Sequence, residues 1–296
     1  MKSLLAILSL CSVASFAEPS DGGSVTLVMT VAEGLKSPES VLYDAESDSY
    51  LVSNVDGELT QRDNNGFITE LSPEGKVLKA KLVAGGVNGV TLNAPKGLAL
   101  LGGLLYVADI DTVRMFDRQT GAPRGAVKVP GSTFVNDLAV GPDGRIFVSD
   151  TGMSGQLEHT GTDGIYVLEP GKKPRLKTLV KDRALELPNG LWASEDTLYV
   201  VTFGAAELIP LDFKGRPKGP RTALPKGQLD GVVMVGDELI ISSWEGDAIY
   251  RGKPGGEFEV LASGFGGAAD LGYDSKRHRL LVPCLIANRV EAWALP

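Results

Sequence analysis

The chain has 296 residues, of which 43% are hydrophobic and 22% are charged, so it carries enough apolar material for a large folded core. Its net charge of −8 argues against nucleic-acid binding, because a polyanion requires a basic surface and the sequence has no long basic run. The 37 glycines and 17 prolines are scattered, as expected when many short strands are joined by turns.

The N-terminal segment, residues 1–17, predicts a secretory signal peptide. It has one lysine, an apolar stretch from Leu4 to Val13, and small residues before the expected cleavage after Ala17. A lipoprotein would use Cys11, but the leucine before it is too bulky for that signal. We therefore expect an exported protein, periplasmic or extracellular, and no later segment has the roughly 20 apolar residues of a membrane span.

Cysteine and histidine usage limits the chemistry of the mature chain. Cys284 is the one cysteine after the expected cleavage, so we expect no disulfide partner for it. Its surroundings, LLVPCLIANRV, indicate a small buried side chain rather than a nucleophile. The two histidines, His159 and His278, lie in different local patterns, which argues against a His-rich zinc site.

One pattern occurs six times along residues 18–296. Each copy has a polar residue, usually a small residue after it, an alternating strand, a turn and a second apolar strand. Intervals of about 40 residues are typical of a four-stranded β-propeller blade. Two intervals are longer because they contain the loops NVDGELTQRDNNG and DTGMSGQLEHTGTDG. The sequence predicts an all-β fold, a single six-bladed β-propeller domain with four antiparallel strands per blade.

The two ends of this domain predict how the ring closes. The sixth copy has three strands, the third being NRVEAWAL at Asn288–Leu295. An apolar strand, SVTLVMTVA at Ser24–Ala32, precedes the first copy and belongs to none. We expect this N-terminal strand to pair with the last blade, because pairing removes an exposed strand edge.

The repeated polar residues are expected to form a ring at one end of the central channel, since the innermost strand of each blade lines that channel. Carboxylates held close together in a low-dielectric channel are costly unless a cation neutralises them. Carboxylate and amide oxygens are ligands of hard cations, so the ring predicts a site for Ca²⁺ or another divalent ion. The alternative is a water-filled channel with ordinary turn residues. The ring residues are Glu39, Lys96, Asn136, Asn189, Asp230 and Asp270.

Four motifs, in order and in the expected blades, resemble the gluconolactonase, senescence-marker-protein and luciferin-regenerating-enzyme family of six-bladed propellers, relatives of paraoxonases and diisopropyl fluorophosphatase. The motifs are ESVLYD at Glu39–Asp44, Asn136-Asp137, Pro188-Asn189-Gly190 and Asp230-Gly231. The resemblance implies a catalytic divalent cation, usually Ca²⁺, held by Glu39, Asn136, Asn189 and Asp230. Phe134 stands where several of the family's lactonases have an arginine that holds the sugar acid.

The resemblance implies a metal-dependent lactonase or esterase acting on a small-molecule lactone or ester. Asp230 is the expected catalytic residue, as general base. The expected substrate-binding residues are Lys96, Asn136, Asp270 and His159, with Phe203 and Trp244 as further contacts at the rim. Lys96 has a second interpretation, in which it only balances the charges of Glu39 and Asp270. The alternative function is a non-catalytic, NHL-like propeller that binds a ligand or a protein.

Overall fold

Six four-stranded antiparallel sheets surround one axis in the computed structural model, which describes residues 25–296. One edge strand of each sheet lies innermost, against the innermost strands of the neighbouring sheets. The predicted six-bladed β-propeller is therefore confirmed. The predicted signal peptide, residues 1–17, lies outside the described residues. Within the described part of the chain, no helix is long and apolar enough to cross a membrane.

The first three blades are formed by consecutive strands of the chain, numbered β2 to β13. Blade 1 contains β2 (Pro38–Asp44), β3 (Ser49–Asn54), β4 (Phe67–Leu71) and β5 (Val77–Ala84). Blade 2 contains β6 (Pro95–Leu101), β7 (Leu104–Asp109), β8 (Thr112–Asp117) and β9 (Pro123–Lys128). Blade 3 contains β10 (Val135–Val140), β11 (Ile146–Asp150), β12 (Gly164–Glu169) and β13 (Arg175–Lys181).

The last three blades follow after a single turn of 3₁₀ helix at Arg183–Leu185. Blade 4 contains β14 (Pro188–Ser194), β15 (Thr197–Thr202), β16 (Glu207–Asp212) and β17 (Thr222–Ala223). Blade 5 contains β18 (Leu229–Val235), β19 (Glu238–Ser243), β20 (Ala248–Gly252) and β21 (Phe258–Ser263). Blade 6 contains β22 (Gly272–Asp274), β23 (Arg279–Cys284), β24 (Arg289–Ala294) and the N-terminal strand β1 (Thr26–Val31).

Strand β1 closes the ring as the outer strand of blade 6, which confirms the predicted closure. It pairs antiparallel with β24, from Thr26 opposite Ala294 to Val31 opposite Val290. Met29 and Val31 point into the core, whereas Val28 is 44% exposed. Because the first and last described strands share one sheet, the two ends of the chain hold the ring together.

The hydrophobic core lies between the faces of neighbouring blades. Between blades 1 and 2, for example, Leu51 and Ile68 pack in one cluster with Leu98 and Phe116. Cys284 is fully buried in the cluster between blades 5 and 6, as predicted for a small apolar side chain. Burial raises the pKa of its thiol to about 12, so the thiolate needed for nucleophilic chemistry is disfavoured.

Candidate functional site

One small cavity on the propeller axis contains four of the predicted site residues. Glu39, Asn136, Asn189 and Asp230 line it from the beginnings of four innermost strands, and each is 3–4% exposed. The cavity has a volume of about 20 Å³, which is room for about one water molecule or one bare ion. We call it the axial cavity.

A β-bulge in the innermost strand brings these side chains to the axis. In blade 3, Val135 pairs with Asp150 but Leu138 pairs with Val148, so the inner strand carries one extra residue at Asn136. The inner strands of blades 2, 4 and 5 have the same shift at the same place. A bulge turns a side chain out of the normal alternation of a strand, and here it turns polar groups into the channel.

Glycine lets the neighbouring inner strands approach each other at this level. A Cβ atom on Gly190 would overlap the carbonyl oxygen of Asp230, and a Cβ atom on Gly231 would overlap the amide nitrogen of Leu271. Gly190 therefore allows the inner strand of blade 5 to approach closely beside Asn189. Close packing of the inner strands keeps the axial cavity as small as a single ion.

The two amides of the axial cavity are oriented by hydrogen bonds from their nitrogen atoms. Asn189 Nδ2 donates to the carbonyl oxygen of Leu229 at 3.2 Å. Asn136 Nδ2 donates to Thr151 Oγ1 at 2.9 Å and to Asn189 Oδ1 at 2.6 Å. Asn136 Oδ1 is then left to bind a cation, and Asn189 Oδ1 has a second lone pair besides the one that accepts from Asn136.

Two carboxylate oxygens at this site have no hydrogen-bond partner within residues 25–296. They are Glu39 Oε2 and Asp230 Oδ1, and both are buried. The second oxygen of Asp230 accepts a hydrogen bond of 2.7 Å from Trp244 Nε1. An unpaired buried polar atom costs about 1–3 kcal/mol, and more for a charged group, so a ligand that pairs both oxygens would be stabilising.

The donor set of the axial cavity fits a hard divalent cation. The described residues contain no group of three or more His, Cys, Asp or Glu side chains placed to hold a metal, so amide oxygens have to complete any site. Two carboxylates with two amides supply oxygen ligands alone, which suits Ca²⁺ and Mg²⁺ better than zinc or copper. Both unpaired oxygens belong to residues that line the axial cavity.

Burial, followed by the charges of neighbouring carboxylates, raises the pKa values of both carboxyl groups in the axial cavity. For Glu39, burial acts first, followed by the charges of Asp230 and Asp270, and its pKa lies well above the usual value. Burial raises the pKa of Asp230 to about 7, although the hydrogen bond from Trp244 stabilises the ionised form and acts to lower this pKa. A cation in the cavity would reverse these shifts by favouring the ionised forms.

Lys96 lies beside the axial cavity but is not one of its lining residues. Its ammonium group is fully buried and donates hydrogen bonds to the carbonyl oxygens of Leu59 at 2.9 Å and Ala94 at 3.1 Å. It also lies 4.4 Å from the ring centroid of Phe134. Burial lowers the pKa of Lys96, while the charge of Glu39 opposes that shift. Its contacts are thus with two backbone carbonyl oxygens and the ring of Phe134. The ammonium group therefore lies behind the wall of the cavity.

Asp270 points toward a second pocket further along the inner strands. This far pocket has a volume of about 470 Å³ and is also lined by Ser40, Asp137 and Trp192. Ser40 Oγ donates a hydrogen bond to Asp270 Oδ2, and the backbone amide of Asp270 donates to the carbonyl oxygen of Glu39. Asp270 is therefore one layer away from the four residues of the axial cavity.

His159, the remaining predicted substrate contact, lies on the long loop of blade 3. Its Nε2 atom is 2.5 Å from Asp163 Oδ2, and it is not among the residues that line the axial cavity. Phe203 and Trp244, the two other predicted rim residues, do line the cavity and meet edge to face with ring centroids 6.2 Å apart.

No role was predicted for Asp137, which appears only in the Asn136-Asp137 motif, or for the apolar loop residues over the cavity. Both oxygens of Asp137 accept backbone hydrogen bonds of 2.6 Å, from Leu138 and Leu191, and burial raises its pKa to about 6. The repeat pattern placed the adjacent Asn136 on an inner strand. The bulge, however, buries two successive polar residues, which breaks the alternation of buried and exposed residues by which a strand is recognised in a sequence. Leu59, Met153 and Leu157 cover the cavity from two long loops, where no strand pattern could locate them.

Residues 37–262 match the model of the SMP-30/gluconolactonase/LRE-like region. A gluconolactonase from Xanthomonas campestris superposes with a TM-score of 0.67 at 20% identity, covering 92% of this chain and 89% of the other. The calcium-binding protein regucalcin from Agrobacterium tumefaciens strain C58 superposes with a TM-score of 0.62 at 19% identity, covering 91% and 94%.

A third solved structure shares the fold at still lower identity. Virginiamycin B lyase from Staphylococcus aureus superposes with a TM-score of 0.61 at 10% identity, covering 92% of this chain and 100% of the other. Likeness at these identities establishes a shared fold, and the fold alone does not decide the reaction. The comparison with curated protein sequences found no match.

Proposed function

The chain belongs to the SMP-30/gluconolactonase/LRE-like family, and from this premise and the geometry of the axial cavity we propose that it is a divalent-metal-dependent hydrolase of lactones or esters. The observation that carries the proposal is the pair of unpartnered oxygens, Glu39 Oε2 and Asp230 Oδ1. They share an ion-sized cavity with the amides of Asn136 and Asn189.

In this proposal the four lining residues hold the ion, with Ca²⁺ as the first candidate because all available ligands are oxygens. A bound divalent ion supplies Lewis-acid polarisation of the ester carbonyl. Trp244 fixes one oxygen of Asp230 and leaves the other directed at the cavity. Asn136 and Asn189 are already oriented by their own hydrogen bonds, so little side-chain freedom is lost on binding.

Asp230 is the proposed general base. The oxygen of a water molecule forms a bond to the acyl carbon while the bond between that carbon and the alkoxy oxygen breaks. Asp230 takes a proton from the attacking water and then gives that proton to the departing alkoxy oxygen. A lactone then gives a hydroxy acid, and an open ester gives an acid and an alcohol. With a cation bound, Asp230 would be ionised near neutral pH, and the ionised carboxylate is the form that accepts a proton.

A panel of lactones and aryl esters tests this proposal, assayed with chelator-treated protein before and after Ca²⁺ is added. We expect turnover to depend on the added ion, and Asp230→Ala to reduce it by at least about 100-fold. Glu259→Gln, which changes an exposed carboxylate, serves as the control. An Asp230→Ala variant that keeps both metal binding and turnover would rule out the proposed role. Metal binding without turnover on any substrate would favour the alternative of a ligand-binding propeller.

We also propose that the protein is exported, on the basis of the signal-peptide pattern at residues 1–17. Expression with the native N-terminus in a Gram-negative host, followed by fractionation and N-terminal sequencing, tests this. The expected mature chain starts at Glu18 and is found outside the cytoplasm. An uncleaved chain retained in the cytoplasm would contradict it.

A further inference from the structure

The walls of the axial cavity are apolar everywhere except at the four proposed metal ligands. Three aromatic residues and four aliphatic ones surround the oxygens, and the described residues place no basic or hydroxyl side chain in the lining. The indole N–H of Trp244, the one polar atom of these walls, is already donated to Asp230. The aromatic wall residues are Phe134, Phe203 and Trp244, and the aliphatic ones are Leu59, Met153, Leu157 and Leu285.

The basic group of Lys96 lies behind these walls. Lys96 is fully buried, its ammonium donates to two backbone carbonyl oxygens, and it lies against the ring of Phe134. Leu59 contributes its carbonyl oxygen to Lys96 and also lines the cavity. A substrate in the cavity would therefore meet the ring of Phe134 and the side chain of Leu59, not the ammonium.

The cover of the cavity is formed by the loops 55–66 and 151–163. They meet closely, since a Cβ atom on Gly155 would overlap the hydroxyl oxygen of Thr60. Leu59 lies on the first loop, and Met153 and Leu157 lie on the second. A substrate larger than a water molecule has to displace these side chains, because the cavity measures about 20 Å³.

We propose that the substrate carries a hydrocarbon group, aromatic or alkyl, beside its ester bond and that polyhydroxylated lactones are rejected. This inference rests on the proposed hydrolase function for the reaction, but the ligand class follows from the walls alone. Every hydroxyl group brought against these walls would lose its bonds to water without gaining a partner. A hydrocarbon group gains from burial there, by about fourfold in kcat/KM for each CH₂ group that the wall covers.

Turnover of matched substrates tests the inference. We expect kcat/KM for 3,4-dihydrocoumarin to exceed that for glucono-δ-lactone by at least about 100-fold. In a series of γ-alkyl-γ-lactones, kcat/KM should rise with each added CH₂ until the wall is filled. Phe203→Gln should lower kcat/KM for the aryl lactone at least about tenfold, whereas Phe203→Leu, which keeps the wall apolar, should change it less than about threefold.

Calorimetry with ligands that cannot be hydrolysed separates this inference from the proposed reaction. We expect α-tetralone, a ketone shaped like the aryl lactone, to bind the wild-type protein and to bind Phe203→Gln more weakly. Glucitol should bind neither protein. Binding of α-tetralone in a protein that hydrolyses no lactone would uphold the apolar site and refute the hydrolase. Glucono-δ-lactone turned over as well as the aryl lactone would overturn the inference and leave the hydrolase standing. Failure of α-tetralone to bind would also overturn it.

Discussion

Trp244 and Asp230 form a hydrogen-bonded pair at the axial cavity, with the indole N–H donating to Oδ2 at 2.7 Å while Oδ1 has no partner among the described residues. One oxygen of the carboxylate is thus held by the protein, and the other is unpaired on a residue that lines the cavity. This division of roles within one side chain underlies the proposed binding of a cation and the proposed transfer of a proton.

Trp244→Phe removes the donor and keeps an aromatic ring in the wall. Hydrogen bonds to charged groups contribute about 1.5–3 kcal/mol, so we expect Ca²⁺ affinity to fall about tenfold or more. Trp293→Phe is the matched control, because Trp293 Nε1 donates to Glu291 Oε2 at 2.9 Å in blade 6. Calorimetric titration of both variants checks the prediction. Equal affinities in the two variants would show that Trp244 does not position Asp230.

The stability of the metal-free protein should fall as the pH rises toward neutrality. The pKa of Asp230 is about 7 in the folded chain and 3.8 ordinarily, so the folded state binds more protons than the unfolded state between these values. The free energy of unfolding therefore decreases as pH rises through this interval, and the loss is complete above pH 7. Glu39 acts in the same direction, since its pKa is also raised.

Urea unfolding of chelator-treated protein at pH 5.5 and pH 8 measures this effect. We expect the wild type to be less stable at pH 8, and Asp230→Asn to be less sensitive to the change because the titrating group is gone. Saturating Ca²⁺ should remove most of the loss, since the ion favours the ionised carboxylates. A metal-free wild type that is more stable at pH 8 would contradict the raised pKa values.

Gly190→Ala should destabilise the ring at the level of the axial cavity. The new Cβ atom would overlap the carbonyl oxygen of Asp230, which is backbone and cannot rotate away. Overpacking of this kind costs about 1–3 kcal/mol. In Gly219→Ala the nearest atom is Pro210 Cγ at 3.6 Å, so that variant should keep wild-type stability. Chemical denaturation compares the two, and equal midpoints would count against close packing here.

Substitution of two valines in the closing strand β1 should change the stability of the protein by very different amounts. Val31 is 6% exposed, so Val31→Asp buries an unpaired carboxylate and should destabilise the protein by about 3 kcal/mol or more. Val28 is 44% exposed and lies at the bulge of the strand, so Val28→Asp should cost less than about 0.5 kcal/mol. Thermal unfolding distinguishes them. Similar losses in both variants would contradict the pairing described for β1.

The fold could be predicted from the sequence because each blade repeats the same strand and turn chemistry. Repetition also placed Glu39, Asn136, Asn189 and Asp230 at equivalent points of the ring, where the structure brings them into one cavity. Lys96 also occupies an equivalent position in the sequence, but this did not determine where its ammonium group lies. A long side chain can turn away from the channel toward backbone acceptors, as this one does. The bulges that set the direction of each inner side chain depend on pairing with the next strand.

The apolar cover of the cavity could not be predicted for a different physical reason. Leu59, Met153 and Leu157 lie on long loops whose paths depend on contacts between blades 1 and 3. Loops of that length have no periodic pattern, so their apolar residues resemble scattered surface residues in the sequence. Substrate preference depends on those residues, whereas the proposed metal ligands lie on strands.

Calorimetric titration of Ca²⁺ into chelator-treated wild-type protein and Glu39→Gln tests the central claim most directly. Glu39 supplies one of the two unpartnered oxygens, and the amide in its place carries no charge. We predict about one ion bound per wild-type chain and per Glu259→Gln control, with affinity reduced at least about 100-fold in Glu39→Gln. A wild type that binds no divalent ion, or a Glu39→Gln variant that binds as tightly as the wild type, would contradict a cation site on the propeller axis.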